Sequence, residues 1–196
     1  TYMKKLEEKP ETYDELFSSL TKAVSDEVKD WIKEKIQSPS MILVVGCGPG
    51  TFAYSLANQQ HSVLAIDQNP RMIEYANQQY GLQSNLNLLY HIGSAVEFSQ
   101  DPFVNQAKFD YIITTFMLSE LRTLEQQIFL QNAWKMLKPS GKLILAAEFI
   151  PKGIAKVNFF IKRLYYRRKL KNKKYTEPLN HFQKYLEPIG FSEIQQ

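Results

Sequence analysis

The sequence predicts an α/β fold, a doubly wound, mainly parallel sheet with helices on both faces. Two features predict it. Short, unbroken apolar runs at Met41–Val45, 62–66, 86–91, 109–113 and 142–147 alternate with helical stretches near 51–60, 71–80 and 124–137. Strands that are apolar on both faces belong to a parallel sheet covered on two sides, joined by right-handed crossovers. Directly after the first run comes a glycine-dense turn, Gly46-Cys47-Gly48-Pro49-Gly50, followed by a helix. Glycines at such a turn let the backbone bend sharply and approach a ligand, and the helix start behind them offers amides.

The 196 residues fit one domain, 1–196, able to bury a core without disulfides or a structural metal. Thr1 opens the sequence in place of Met, so further residues are expected ahead of it. The longest apolar runs are five residues, far short of the roughly 20 that cross a bilayer. Cys47 is the single cysteine, and His61, His91 and His181 lack the close spacing of a zinc site. A reducing cytoplasm and no metal are the expectations.

The net charge of +4 is unevenly spread. Residues 152–174 hold ten of the 24 Lys and Arg and no Asp or Glu, leaving 14 basic against 20 acidic residues elsewhere. Everything outside this segment is therefore acidic on balance.

Along the chain, Thr12-x-x-Glu15 reads as a capping box that opens a helix over 12–37, with Leu16, Leu20, Val24, Val28, Ile32 and Ile36 on one apolar face. The cofactor-type core follows at 41–149. A basic, aromatic cap insert is expected at 150–175, then a last helix from near Pro178 and a short strand at 191–195 within 176–196.

A carboxylate marks the second strand. Asp67 ends the run Val63-Leu64-Ala65-Ile66, 17 residues beyond Gly50. An acid there can accept hydrogen bonds from ribose hydroxyls. The G-x-G-x-G spacing departs from the G-x-G-x-x-G of nicotinamide and flavin domains, which weakens an oxidoreductase reading. A nucleoside cofactor is the expectation.

With these residues in view, the sequence resembles the class I S-adenosylmethionine (SAM) dependent methyltransferases over about 41–149. Gly46-Cys47-Gly48-Pro49-Gly50 is similar to the family's first motif and Asp67-Gln68-Asn69-Pro70-Arg71-Met72 to its second. Gly93-Ser94-Ala95 corresponds to a common Gly-Asp-Ala, residues 109–116 to the fourth-strand motif, and 137–143 to the turn and fifth strand. The resemblance implies S-adenosyl-L-methionine as cofactor, bound by Gly46, Cys47, Gly48, Gly50, Asp67, Gln68, Met72, Ser94, Ala95, Thr114 and Thr115. It also makes Tyr13, on a helix that often covers the cofactor, a contact. Two departures stand out. Ser94 replaces the usual acid, and the family's antiparallel seventh strand is expected to be missing or truncated.

Methyl transfer needs alignment and exclusion of water more than a catalytic group. No catalytic residue is assigned, although Glu148 is the one candidate base, or an acid that orients substrate. Cys47 reads as a small loop residue, Met72 equally as core, and His91 as a core or rim residue. Cytosine C5 chemistry lacks its nucleophile, and amino methylation of bases lacks an Asn/Asp-Pro-Pro-Tyr run, since Thr114-Thr115-Phe116-Met117 stands there. A catechol-type site lacks its carboxylate cluster. A small, apolar or lipid-like acceptor is the expectation, with the basic segment 152–174 as a lid, a peripheral contact to anionic membrane, a nucleic-acid patch or a solvated helix. A SAM-binding sensor without turnover is the alternative outside catalysis.

Overall fold

A computed structural model describes residues 6–36, 39–83, 86–148, 179 and 183–192. Two N-terminal helices, α1 (Pro10–Thr21) and α2 (Val24–Lys35), lead into β1 (Met41–Val45), α3 (Thr51–Ala57), β2 (Ser62–Asp67), α4 (Pro70–Tyr80) and β3 (Leu88–Ile92). Then come β4 (Phe109–Thr115), a 3-10 turn (Met117–Glu120), α5 (Thr123–Met136) and β5 (Leu137–Ala146). A short α6 (Gln183–Leu186) and a second 3-10 turn (Glu187–Ile189) close the described chain.

The five strands form a wholly parallel sheet in the order β3-β2-β1-β4-β5. The chain winds outward through β3 and then returns to the far side of β1, so β1 and β4 flank the switch point. In open sheets of this kind the ligand crevice lies outside the carboxyl ends of the strands at that point.

Alternate residues of β1 and β2 feed opposite faces. Ile42, Val44, Val63 and Ala65 join Ile32, Phe52, Leu56 and Ile73 from α2, α3 and α4. Leu43, Val45, Leu64 and Ile66 join Phe98, Leu118, Phe129 and Leu130 on the α5 side. This double burial is what the unbroken apolar runs encode.

The amino end of the sheet is tied by polar groups. Asp110 accepts from the Met41 amide at 2.8 Å and from Lys138 Nζ at 2.9 Å on both oxygens, an arrangement that joins β1, β4 and β5. The lysine hydrogen bond is the main reason the Asp110 carboxyl is held below its usual range, against the opposing effect of burial. His61 is buried and accepts from the Ser40 amide at 3.1 Å; burial lowers its pKa and so favours the neutral ring.

Three sequence expectations are corrected. The single helix over 12–37 is two helices, because Lys22 and Ala23 take left-handed φ values of 53° and 63°. The turn is closed by the Ala23 amide on the Ser18 carbonyl at 2.9 Å, and it divides the apolar stripe. Ile32 and Ile36 are buried, whereas Leu16, Leu20 and Val24 are exposed and Tyr13 and Phe17 turn inward. The capping box is absent: α1 begins at Pro10, and Thr12 Oγ1 donates to the Lys9 carbonyl instead. The stretch 137–141, expected as a turn, already belongs to β5, with a register shift opposite Phe109 and Tyr111.

The basic cap 150–175 and most of the last strand lie outside the described residues, as does the helix start near Pro178. Phe191 and Ser192 are described and lie outside any strand. Leu179 is buried, and its amide donates to the Glu148 carbonyl at 2.8 Å beyond the end of β5.

Candidate cofactor site

The turn after β1 is held open by three left-handed glycines, Gly46, Gly48 and Gly50, with φ of 75°, 56° and 86°. Its amides are pinned to the neighbouring strand end. Gly46 and Cys47 both donate to the Ile66 carbonyl, at 2.8 and 3.0 Å. A side chain at Gly50 would collide with Ala76 and Tyr90, whereas one at Gly48 would meet only the Tyr13 ring, 3.7 Å away. Gly50 is thus required by packing, and Gly48 faces space beneath Tyr13.

Asp67 ends β2 beside this turn. Its Oδ2 accepts from the Gly48 amide and its Oδ1 from the Asn69 amide, each at 2.9 Å. Burial raises its pKa, and the two amide bonds oppose that rise. Each carboxylate oxygen retains a lone pair beyond these bonds, so the group can still accept from a vicinal diol.

Helix α1 roofs the turn. Tyr13 stacks on Phe17 with ring centroids 5.8 Å apart, and Phe17 meets Phe116 edge-on at 5.4 Å, so an aromatic row runs from Gly48 to the end of β4. Burial, followed by the charges of Glu120, Glu7, Asp67 and Asp14, drives the Tyr13 phenol well above its ordinary pKa. Of these acids, Asp14 is paired with Lys29 at 3.2 Å.

On the other side of Asp67, a cavity of about 480 Å³ is lined by Gln68, Ile92, Gly93, Ser94, Glu97, Gln100 and Asp101. The Gly93 amide donates to the Asp67 backbone carbonyl at 3.0 Å, so the cavity begins beside the end of β2.

The expected site residues therefore gather at the carboxyl ends of the strands: Gly46, Cys47, Gly48 and Gly50 after β1, Asp67 and Gln68 at β2, Ser94 and Ala95 just past β3, and Thr114 and Thr115 at the end of β4. Met72 and Thr114 are wholly buried, and Thr114 Oγ1 has no hydrogen-bond partner among the described residues. Cys47 is buried, and burial pushes its thiol pKa up, the opposite of an activated nucleophile. His91 is tied at the rim, with Nε2 2.9 Å from Asp101 Oδ2 and its ring stacked on Phe103.

Sequence reasoning missed Phe17, Phe116, Glu97, Gln100 and Asp101. Phe17 carried a signal, since it stands four residues from Tyr13 and so shares its helix face. Phe116 stands in the fourth-strand motif but was given no contact, and Glu97, Gln100 and Asp101 come from an irregular segment that no periodicity marks.

Residues 42–141 match the model of the methyltransferase domain family. The chain is 31% identical over 105 residues to the ubiquinone biosynthesis O-methyltransferase of Rickettsia akari (strain Hartford), a match covering 54% of this chain and 39% of that protein. It thus spans about two fifths of that curated relative. Among solved structures it is similar to magnesium protoporphyrin IX methyltransferase from Synechocystis PCC 6803 with bound SAH, the demethylated cofactor (TM-score 0.65, 19% identity, 87% of this chain and 73% of that one). It is also similar to Haemonchus contortus phosphoethanolamine N-methyltransferase 2 in complex with S-adenosyl-L-methionine (TM-score 0.62, 16% identity, 85% and 36%). The chain belongs to the class I SAM-dependent methyltransferase family, whose cofactor is S-adenosyl-L-methionine. The residues here fit that group: an open glycine turn, a carboxylate with spare acceptor capacity and an adjoining cavity.

Proposed function

We propose that this chain, as a single domain, transfers a methyl group from SAM to a small, apolar or lipid-like acceptor. Bound SAM would supply a methyl group already activated on a positively charged sulfur. Asp67 would accept from the ribose hydroxyls, and Gly46–Gly50 would lie beneath the amino-acid end.

The observation that carries the acceptor reading is the aromatic row Tyr13, Phe17 and Phe116, an apolar wall ending beside β4. Such a wall excludes water and aligns a planar or aliphatic acceptor, the main requirement of an in-line displacement. Glu148, whose amide donates to Ser119 Oγ at 3.0 Å, would orient the acceptor or take its proton. Similarity to a ubiquinone-pathway O-methyltransferase supports a hydroxyl on a lipid-like molecule.

The test is transfer of labelled methyl from SAM to a panel of prenylated phenols, amines and oligonucleotides. Turnover on the phenols is the expected result; transfer only to oligonucleotides, or to nothing, contradicts the reading. The basic segment 152–174 would hold the enzyme at an anionic membrane where such acceptors reside. Changing Arg163, Arg167, Arg168 and Lys169 to Gln should then release it from anionic vesicles, and unchanged vesicle binding refutes that role.

A further inference from the structure

β3 is the last strand on one side of the sheet, paired with β2 and, among the described residues, with nothing on its other side. The Val63 amide donates to the Asn87 carbonyl at 2.8 Å and the Gly93 amide to the Asp67 carbonyl at 3.0 Å. The odd-numbered residues from 87 to 93 thus turn their backbone groups toward β2, and the amides and carbonyls of Leu88, Tyr90 and Ile92 point outward. Sheets ordinarily blunt such an edge with a charge, a proline or a bulge. Leu88-Leu89-Tyr90-His91-Ile92 has no lysine, carboxylate or proline, and its pairing with β2 runs without a register shift.

The chemistry of this edge suits a second copy of itself. No Asp, Glu, Lys or Arg occurs from Tyr75 to Val96, 22 residues in a chain that is 22% charged, so two such edges bring no like charges together. Asp101, which reaches the strand from the following segment, is engaged by His91 at 2.9 Å. Depletion of charge is the compositional mark of an interface core. The edge also exposes apolar side chains: Leu89 at 56% and Ile92 at 52%, with Phe103, 45% exposed, stacked on the His91 ring at 4.7 Å.

We propose that β3 is a self-association edge, at which two copies join antiparallel about a two-fold axis through Tyr90 and continue their sheets into one. Tyr90 then faces the second copy's Tyr90 and Leu88 faces the second copy's Ile92, and each pair exchanges the outward amides and carbonyls. On the opposite face Leu89 meets the second copy's stacked His91 and Phe103, which covers the exposed leucine. Symmetry repeats every contact, so the edge is complementary to itself. This assembly is independent of the methyl acceptor.

Sedimentation velocity of the intact chain over a range of concentrations tests it. The wild type should pass from monomer to a species of about twice 22.8 kDa. Leu89→Lys sets two like charges on a diagonal about 7–8 Å apart and should weaken association roughly tenfold or more. Leu89→Glu should do the same, and an equimolar mixture of the two variants should recover the dimer, because opposite charges then lie across the axis. In the wild type, hydrogen exchange at the Leu88, Tyr90 and Ile92 amides should slow as the dimer forms, a readout that needs no variant. A wild type that stays monomeric at every soluble concentration overturns the inference, and protection of those amides in that monomer would show that the chain covers its own edge. A dimer that both variants retain, a mixture that stays monomeric, or a dimer whose three amides exchange as fast as in the monomer overturns it as well.

Discussion

Replacing Gly50 with alanine should be costly, because two independent constraints meet at this position. Its φ of 86° lies in the left-handed region, where a Cβ costs about 1–2 kcal/mol. The same Cβ would stand 2.7 Å from Ala76 Cβ and 2.7 Å from Tyr90 Cε1, and neither neighbour is a flexible chain end. Ala76 is buried within α4, and the Tyr90 hydroxyl donates to the Gly50 carbonyl at 2.8 Å, so both are held in place. Overpacking of this kind costs about 1–3 kcal/mol, giving about 2–5 kcal/mol in all. Urea unfolding followed by circular dichroism reads the change directly. Tyr90→Phe serves as companion, since it removes only the hydroxyl bond and should cost about 1 kcal/mol. A Gly50→Ala loss below about 1 kcal/mol would refute the claim that the turn is fixed by close packing against α4 and β3.

Cofactor affinity should depend on pH through Asp67. Burial raises its pKa, so the ionised form that accepts from ribose predominates only above that raised value, and affinity should fall as pH is lowered through it. Asp67→Asn should flatten the low-pH limb measured by calorimetry; an unaltered limb would assign the titration to another group. Cys47, buried with a raised thiol pKa, should resist thiol reagents at neutral pH until the protein unfolds. Rapid labelling of the folded protein would show that the turn opens far more than its amide bonds to Ile66 allow.

The sheet was legible because its signal is local. β1 and the middle of β2 are unbroken apolar runs buried on two faces, and Gly46–Gly50 and Asp67 sit where a strand hands over to a turn. The N-terminal helices were misread for a physical reason. Leu16 to Ile36 recur every four residues, and nothing in that periodicity reveals that Lys22 and Ala23 adopt left-handed backbone without a glycine. The exposed Leu16, Leu20 and Val24 follow from that turn. Glu97 and Gln100 were invisible for another reason: they lie in an irregular segment after β3, and only the fold brings them beside Gln68. Ser94 shows the converse, a residue found by its motif position whose hydroxyl is engaged by the Val96 amide.

The central claim is that S-adenosylmethionine binds at the carboxyl ends of β1 and β2 with Asp67 at its ribose. Equilibrium titration of SAM and of NAD into the wild type and Asp67→Ala tests it most directly. The wild type should bind SAM and discriminate against NAD, and Asp67→Ala should lose about 1–3 kcal/mol of SAM binding, roughly five- to 150-fold in Kd. Unchanged SAM affinity in a folded Asp67→Ala protein, or a wild type that prefers NAD, would contradict the account.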